Sequence, residues 1–248
     1  MTKDYRRFLL LAAIISVGAS AFLYFIHYLI FQDVHHIFIY MLGDFAFMPL
    51  EVFIVIIVIE RLLTRREQRA VRQKLNMVVG SFYSEVGNYL LGTLLISFPE
   101  RSEMIQHLNV DKDWDHSRFT EAAGFARRMK FAPDAAKLDL EDLRTFLASK
   151  RTFLEVVLGN PHILEHEDFT NLLWATIHFT EELEARQSIE NLPKSDLEHL
   201  GGDIRRMYGH LVSQWLAYVK HLKEQYPYLF SLTLRTQPFQ ESPSAVVD

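Results

Sequence analysis

The stretch IFIYMLGDFAFMPLEVFIVIIVIERLLTRREQRAVRQK, residues 37–74, decides how the chain is built. Its first two-thirds is apolar enough for lipid, yet it holds Asp44 and Glu51 inside the apolar run. Its last third is a basic helix suited to stop the chain at a membrane surface. The second span is read as residues 40–59. Asp44 and Glu51 are seven apart and share one helix face, and Pro49 between them predicts a kink or local opening. An ionised Glu51 near the midplane would cost about 2.5–3.5 kcal/mol even on the lenient insertion scales. Two readings stay open: an ion or proton path or a polar contact between subunits, against a neutral Glu51 bonded to a neighbouring helix or to carbonyls freed by Pro49. Asp44 lies nearer the outer surface and could be interfacial.

Upstream, Phe8–Phe31 runs twenty-four residues without a charged side chain, roughly 36 Å of helix against a hydrocarbon core of about 30 Å. Gly18-Ala19-Ser20-Ala21 resembles a signal-cleavage site, but the apolar run continues past it, longer than a signal core. A retained anchor is expected, with His27 at its far end. The gap 32–36 has no Lys or Arg. The cations flank the other ends: Lys3, Arg6 and Arg7 before, and Arg61, Arg65, Arg66, Arg69, Arg72 and Lys74 after. The positive-inside rule then puts both termini in the cytoplasm of a multi-pass protein of the inner (plasma) membrane. Arg65, Arg69 and Arg72 share a helix face that suits anionic lipid headgroups, besides fixing topology.

Charge divides the chain the same way. Residues 1–74 carry nine Lys/Arg against six Asp/Glu, net +3, and residues 75–248 carry seventeen against twenty-five, net −8. An acidic C-terminal part argues against nucleic acid as its partner. The chain has no cysteine, which excludes disulfides, thiolate catalysis and thiolate metal sites.

The rest reads as helices throughout. Leu75–Phe98 is either a buried helix of the C-terminal domain or an interfacial one, with Gly80 and Ser84 allowing close approach. Short helices follow to residue 137, broken near 110–115 and at Pro133. Asp139–Leu158 is amphipathic through Leu140, Leu143, Leu147, Leu154 and Val157, and Gly159-Asn160-Pro161 ends it. Glu167–Arg186 turns Phe169, Leu172, Leu173, Thr176, Phe179 and Leu183 inward. Ser195, with Glu198 as a capping box, is expected to start a long helix 196–225 patterned as a bundle helix requires. Residues 228–234 should fold back on the bundle or touch the bilayer, and 240–248 should be disordered. The expectation is all-α: a two-helix transmembrane hairpin over 1–60, a basic helix over 61–74 and a helical bundle over 75–239.

The chemistry is sparse. There is no Gly-rich phosphate loop, G-x-S-x-G elbow or H-E-x-x-H. Gly201-Gly202 lies in a helical pattern and marks tight packing. Among eleven histidines, His162 and His166 are four apart beside Glu165 and Glu167, and His178 has Glu181 and Glu182 within a turn. The paired Glu-x-x-His motifs of bundle di-metal sites are absent, and Asp196…His199 is an approximation to one. His162, His166 and His178 are therefore weak metal candidates, and no cofactor is expected.

LGDFAFMPLEVFIVIIVIERLL at Leu42–Leu63, KLNMVVGSFYSEVG at Lys74–Gly87 and KHLKEQYPYLFSLTLRTQPF at Lys220–Phe239 resemble a prokaryotic family of small membrane proteins. Its members have two N-terminal spans and a helical cytoplasmic part. The resemblance implies topology and no catalytic residue. The reading that follows is a membrane-anchored, non-enzymatic scaffold, assembly or signalling domain, with a protein partner on the bundle. A homo-oligomeric channel or ion-coupled transporter using Asp44 and Glu51 is the alternative, and a metal-dependent enzyme on the bundle is a lesser one.

Overall fold

The computed structural model describes residues 3–164 and 166–246, with the side chains among them except those of 3–6, 9, 67–73 and 162. Among the described residues every regular element is helical, as the pattern predicts. Packing divides the chain into Met1–Gln68 and Arg69–Asp248.

The first unit holds α1 (Lys3–Phe31) and the start of α2 (Val34–Phe82). The turn is tighter than the polar gap suggests. Gln32 takes φ 47°, and the Asp33 carboxylate accepts the amides of His35 at 2.9 Å and His36 at 3.3 Å. This cap starts α2 at Val34, upstream of the span read as 40–59. His27 Nε2 lies 3.3 Å from His36 Nδ1 across the turn. The rings of Phe31, tilted, and Tyr40, edge-on, pack against His36. Beyond the turn α1 and α2 barely touch, and their large apolar side chains stand exposed, Leu42 and Val17 at 70%. Both helices are long and apolar enough to cross a membrane, over Leu10–Phe31 and Val34–Arg66. Pro49 lies inside α2 and does not end it.

The second unit is built the opposite way, around one closed core. Leu75, Val79 and Phe82 at the end of α2 are buried. A π-helical turn, Tyr83–Gly87, interrupts the expected single helix before α3 (Asn88–Leu95). Gly87 permits it, since a Cβ there would stand 2.4 Å from the Tyr83 ring. Val86, Leu90, Leu91, Leu94, Leu95 and Phe98 are also buried, so this stretch forms part of the domain core.

Short helices α4 (Arg101–Leu108) and α5 (His116–Arg128) and a 3-10 turn (Ala135–Lys137) follow. Then come α6 (Leu140–Leu158), α7 (Pro161–Leu164), α8 (Glu167–Ala185), α9 (Lys194–Gln225) and α10 (Pro227–Thr236). Asp139 caps α6, accepting the Asp142 amide at 2.9 Å, and the five apolar positions predicted for its buried face are the buried ones. Helix α9 departs from expectation at its start. It begins at Lys194 behind Pro193 with no side-chain cap, so the Ser195/Glu198 capping box does not form; Ser195 already lies in the first turn, past the capping position.

Helix α9 is the centre. It packs against α3, α5, α8, α10 and the 3-10 turn, and Leu200, Ile204, Tyr208, Leu211, Trp215 and Leu222 are buried along it. Two tyrosines fix its register: Tyr83 donates to the Leu211 carbonyl at 2.8 Å, and Tyr208 donates to that of Leu91 at 3.1 Å. Burial raises the pKa of both phenols, so both stay protonated donors. After α10 the chain returns to the core. The buried Gln237 amide pairs with both backbone groups of Val110, and Phe239 packs on Trp215. The described part of the 240–248 tail has no helix, and bonds join Ser244 and Ala245 to Arg235.

Adjacent glycines on α9 supply a paired test. A Cβ on Gly201 would meet the Pro133 carbonyl oxygen at 2.9 Å, whereas one on Gly202 meets nothing within 4 Å. Gly201→Ala should destabilise by about 1–3 kcal/mol through forced backbone movement. Gly202→Ala should stabilise by roughly 0.5–1 kcal/mol through lost chain entropy. Thermal unfolding followed by circular dichroism reads both.

Candidate functional site

The polar residues that the sequence singles out fall in separate places. In the first unit Asp44 and Glu51 are exposed on α2, and among the described residues neither makes an ion pair or a side-chain hydrogen bond within the chain. The intramolecular partner considered for Glu51 is not found there. Arg61, Arg65, Arg66 and Lys74 are exposed on the same helix, while the Arg69 and Arg72 side chains lie outside the described ones.

In the second unit the densest charged arrangement is the seam between α8 and α9. Its physical origin is helical spacing. His178 and Glu182 at one edge of α8 and Arg186 just past its end recur every four residues, and Asp196, His199 and Asp203 line the facing edge of α9. The helices run antiparallel, so His178 faces Asp203, Glu182 faces His199 and Arg186 faces Asp196. Arg186 anchors one end. Its guanidinium grips Asp196 through two bonds of 2.7 and 2.8 Å and Glu182 Oε2 through a third of 2.9 Å. It also donates to the Glu182 carbonyl. Its bonds hold the carboxyls of Glu182 and Asp196 below their usual range.

At the other end Asp203 has a side chain only 5% exposed. Its Oδ2 accepts no hydrogen bond. The basic side chains nearest the carboxylate are Arg206 at 3.4 Å, His199 at 3.5 Å and His178 at 3.7 Å. Glu182, His199 and Asp203 each place a ligand atom within 4.8 Å of the others.

The weak histidine candidates separate here. His178 joins the seam. His166 precedes α8 as its N-terminal flanking residue without a side-chain cap bond, while the His162 side chain and Glu165 lie outside the described residues. Sequence reasoning missed Asp203 and did not join His199 to Glu182. The legible signal was a repeated His-x-x-x-carboxylate spacing, His178/Glu182 and His199/Asp203, on successive helices. A search for Glu-x-x-His passes over it.

A second feature is a groove of about 550 Å³ beside α9, lined by Arg127, Arg205, Arg206, His210, Asp168 and Gln214. Three arginines make it basic within an otherwise acidic unit. Burial lowers the pKa of His210, which keeps that side chain neutral at pH 7.

Comparison with known proteins divides the chain where its packing does. Residues 71–235 match the family described as "Uncharacterized protein MJ1433, C-terminal helical domain", and residues 3–63 match "MJ1433, N-terminal helical domain". The chain belongs to the MJ1433 family. It is 40% identical over 243 residues to "Uncharacterized protein MJ1433" of Methanocaldococcus jannaschii, covering 98% of this chain and 97% of that one. No solved structure matches. The family membership thus extends over both units and carries no activity.

Arg186 ties two helices through charge-assisted bonds, so its loss should be felt. Arg186→Met should cost about 1–3 kcal/mol at neutral pH. The depressed carboxyl of Asp196 gives a sign: this contribution is full above the ordinary range near pH ~4 and is lost as pH falls through the folded-state value. The stability gap between wild type and variant should therefore close in acid, as measured by thermal melts from pH 7 to pH 3.

Proposed function

We propose that this protein is a membrane-anchored helical interaction domain, held on the cytoplasmic face of the plasma membrane by a two-span hairpin. The observation that carries the reading is the contrast between the units. The first buries almost none of its apolar surface. The second closes a complete core from Leu75 to Phe239. Apolar helices left this bare need lipid or other helices around them. Cations at the outer ends of both spans, with none at the turn, favour a hairpin whose two termini are cytoplasmic. Arg61, Arg65, Arg66 and Lys74 then meet anionic headgroups. The surface of the second unit, including its basic groove, is left to meet a protein partner.

The chain's lack of cysteine makes the topology directly measurable. Single His35→Cys and Ser244→Cys variants place one thiol at the turn and one in the tail. An impermeant maleimide should label the first in intact cells and the second only after lysis. The protein should stay in the pellet after alkaline carbonate washing, and its intact mass should retain Met1-side residues. Loss of residues 1 to about 21 in the mature mass would identify a cleaved signal and overturn the anchor.

One observation favours assembly in the bilayer. Asp44 and Glu51 share a face of α2 and find no partner within the chain among the described residues. Copies brought together by that face would bury the two carboxyls against one another or around water, the arrangement of an oligomeric ion path. In lipid nanodiscs the full-length chain should show a multiple of the 29.0 kDa protomer mass. Glu51→Ala should reduce it. A monomeric wild type would remove this second reading and leave the tethered domain.

A further inference from the structure

The α8/α9 seam holds an arrangement that pairing among its own members does not exhaust. His178, Glu182, His199 and Asp203 form a ring in which imidazole and carboxylate alternate. Nε2 of His178 stands 3.9 Å from Glu182 Oε1 and 3.7 Å from Asp203 Oδ1. Nε2 of His199 stands 3.6 Å from Glu182 Oε2 and 3.5 Å from Asp203 Oδ2. All four exceed a hydrogen-bond length. Four tetrahedral donors at about 2.0–2.2 Å from a central ion lie roughly 3.3–3.6 Å apart. Glu182, His199 and Asp203 each place one ligand atom within 4.8 Å of the others, a small contraction from that spacing, and His178 stands beside this triad, facing both carboxylates.

Burial supplies an independent sign. A carboxylate as enclosed as Asp203 normally accepts hydrogen bonds, yet its Oδ2 accepts none and points towards His199. The imidazoles are half exposed, at 46% and 55%, which gives an ion a path from solvent.

We propose that His178, Glu182, His199 and Asp203 bind one divalent transition-metal ion that clamps α8 to α9. Two imidazole nitrogens with carboxylate oxygens favour Zn²⁺ and its first-row neighbours over the all-oxygen shells of Mg²⁺ and Ca²⁺. Arg186 on Glu182 Oε2 and Arg206 beside Asp203 Oδ1 act from outside the ring. They orient the carboxylates while their charge opposes an incoming cation, so binding depends on all four donors acting together. The inference rests on the second unit alone and is independent of how the chain sits in a membrane.

The competing occupant is a proton on each imidazole, which would leave a plain ion-paired seam. Full-length protein in detergent, stripped with a chelator, is titrated with Co²⁺ and then Zn²⁺. One Co²⁺ per chain should bind with visible d–d absorption, Zn²⁺ should displace it, and the thermal midpoint should rise with either ion. His178→Ala and His199→Ala alter half-exposed side chains, and unchanged far-ultraviolet circular dichroism verifies their fold. Each should weaken Co²⁺ binding at least about 100-fold, because removing a group that touches the ion costs more than removing one that only orients such a group. Absence of stoichiometric binding to the wild type would overturn the proposal. So would binding that both variants retain undiminished, because the ion would then sit elsewhere.

Discussion

The second unit depends on burying a single helix on nearly every side. A helix as long as α9, with Leu200, Ile204, Tyr208, Leu211, Trp215 and Leu222 all withdrawn from water, cannot meet that demand against one neighbour. Helices α3, α5, α8 and α10 each cover part of its circumference. Such an arrangement would slide if apolar packing were its only restraint, since packing alone is tolerant of register. The reciprocal bonds Tyr83 to Leu211 and Tyr208 to Leu91 remove that freedom. Each satisfies a buried hydroxyl that would otherwise be costly. The π turn belongs to the same solution, because it widens the helix at Tyr83 and Gly87 leaves room for that ring.

Polar chemistry is correspondingly confined to seams. The α8/α9 interface is apolar along Phe169, Leu172, Leu173, Thr176, Phe179 and Leu183 and charged along one edge. Arg186 neutralises two carboxylates at one end of that edge with planar, bidentate geometry. At the other end two imidazoles face an enclosed carboxylate without hydrogen bonding it. A helix pair serving stability alone would gain from apolar residues there, as buried ion pairs seldom beat packing.

What the sequence made legible follows from range. Helix faces, caps and stops are local, and the buried residues of α6 and α8 are those their spacing predicts. The chain's division is also local, since hydropathy and charge change together near residue 70. The α9 cap failed because Pro193 already fixes the first turn, a competition between neighbours that a motif search does not weigh. The seam was half legible. His178 with Glu182 is a pattern on one helix, but Asp203 becomes a partner only when α9 folds back antiparallel, a contact set by tertiary packing.

The two units also solve the solvation of charge in opposite ways. In the second, Glu85 reaches Lys150 at 2.7 Å and Arg151 reaches Glu155 and Glu181 at the surface, where water screens errors cheaply. In the first, Asp44 and Glu51 stand on a helix whose flanks are apolar, and among the described residues neither pairs with a cation of the chain. Lipid offers a carboxyl neither hydration nor a counter-ion. In a bilayer, a single copy would leave both groups in an environment that only neutralisation, water or another helix relieves. The second unit closes its own core while the first leaves its apolar helices and both carboxyls uncovered, so what covers them is not supplied by the described residues of the chain.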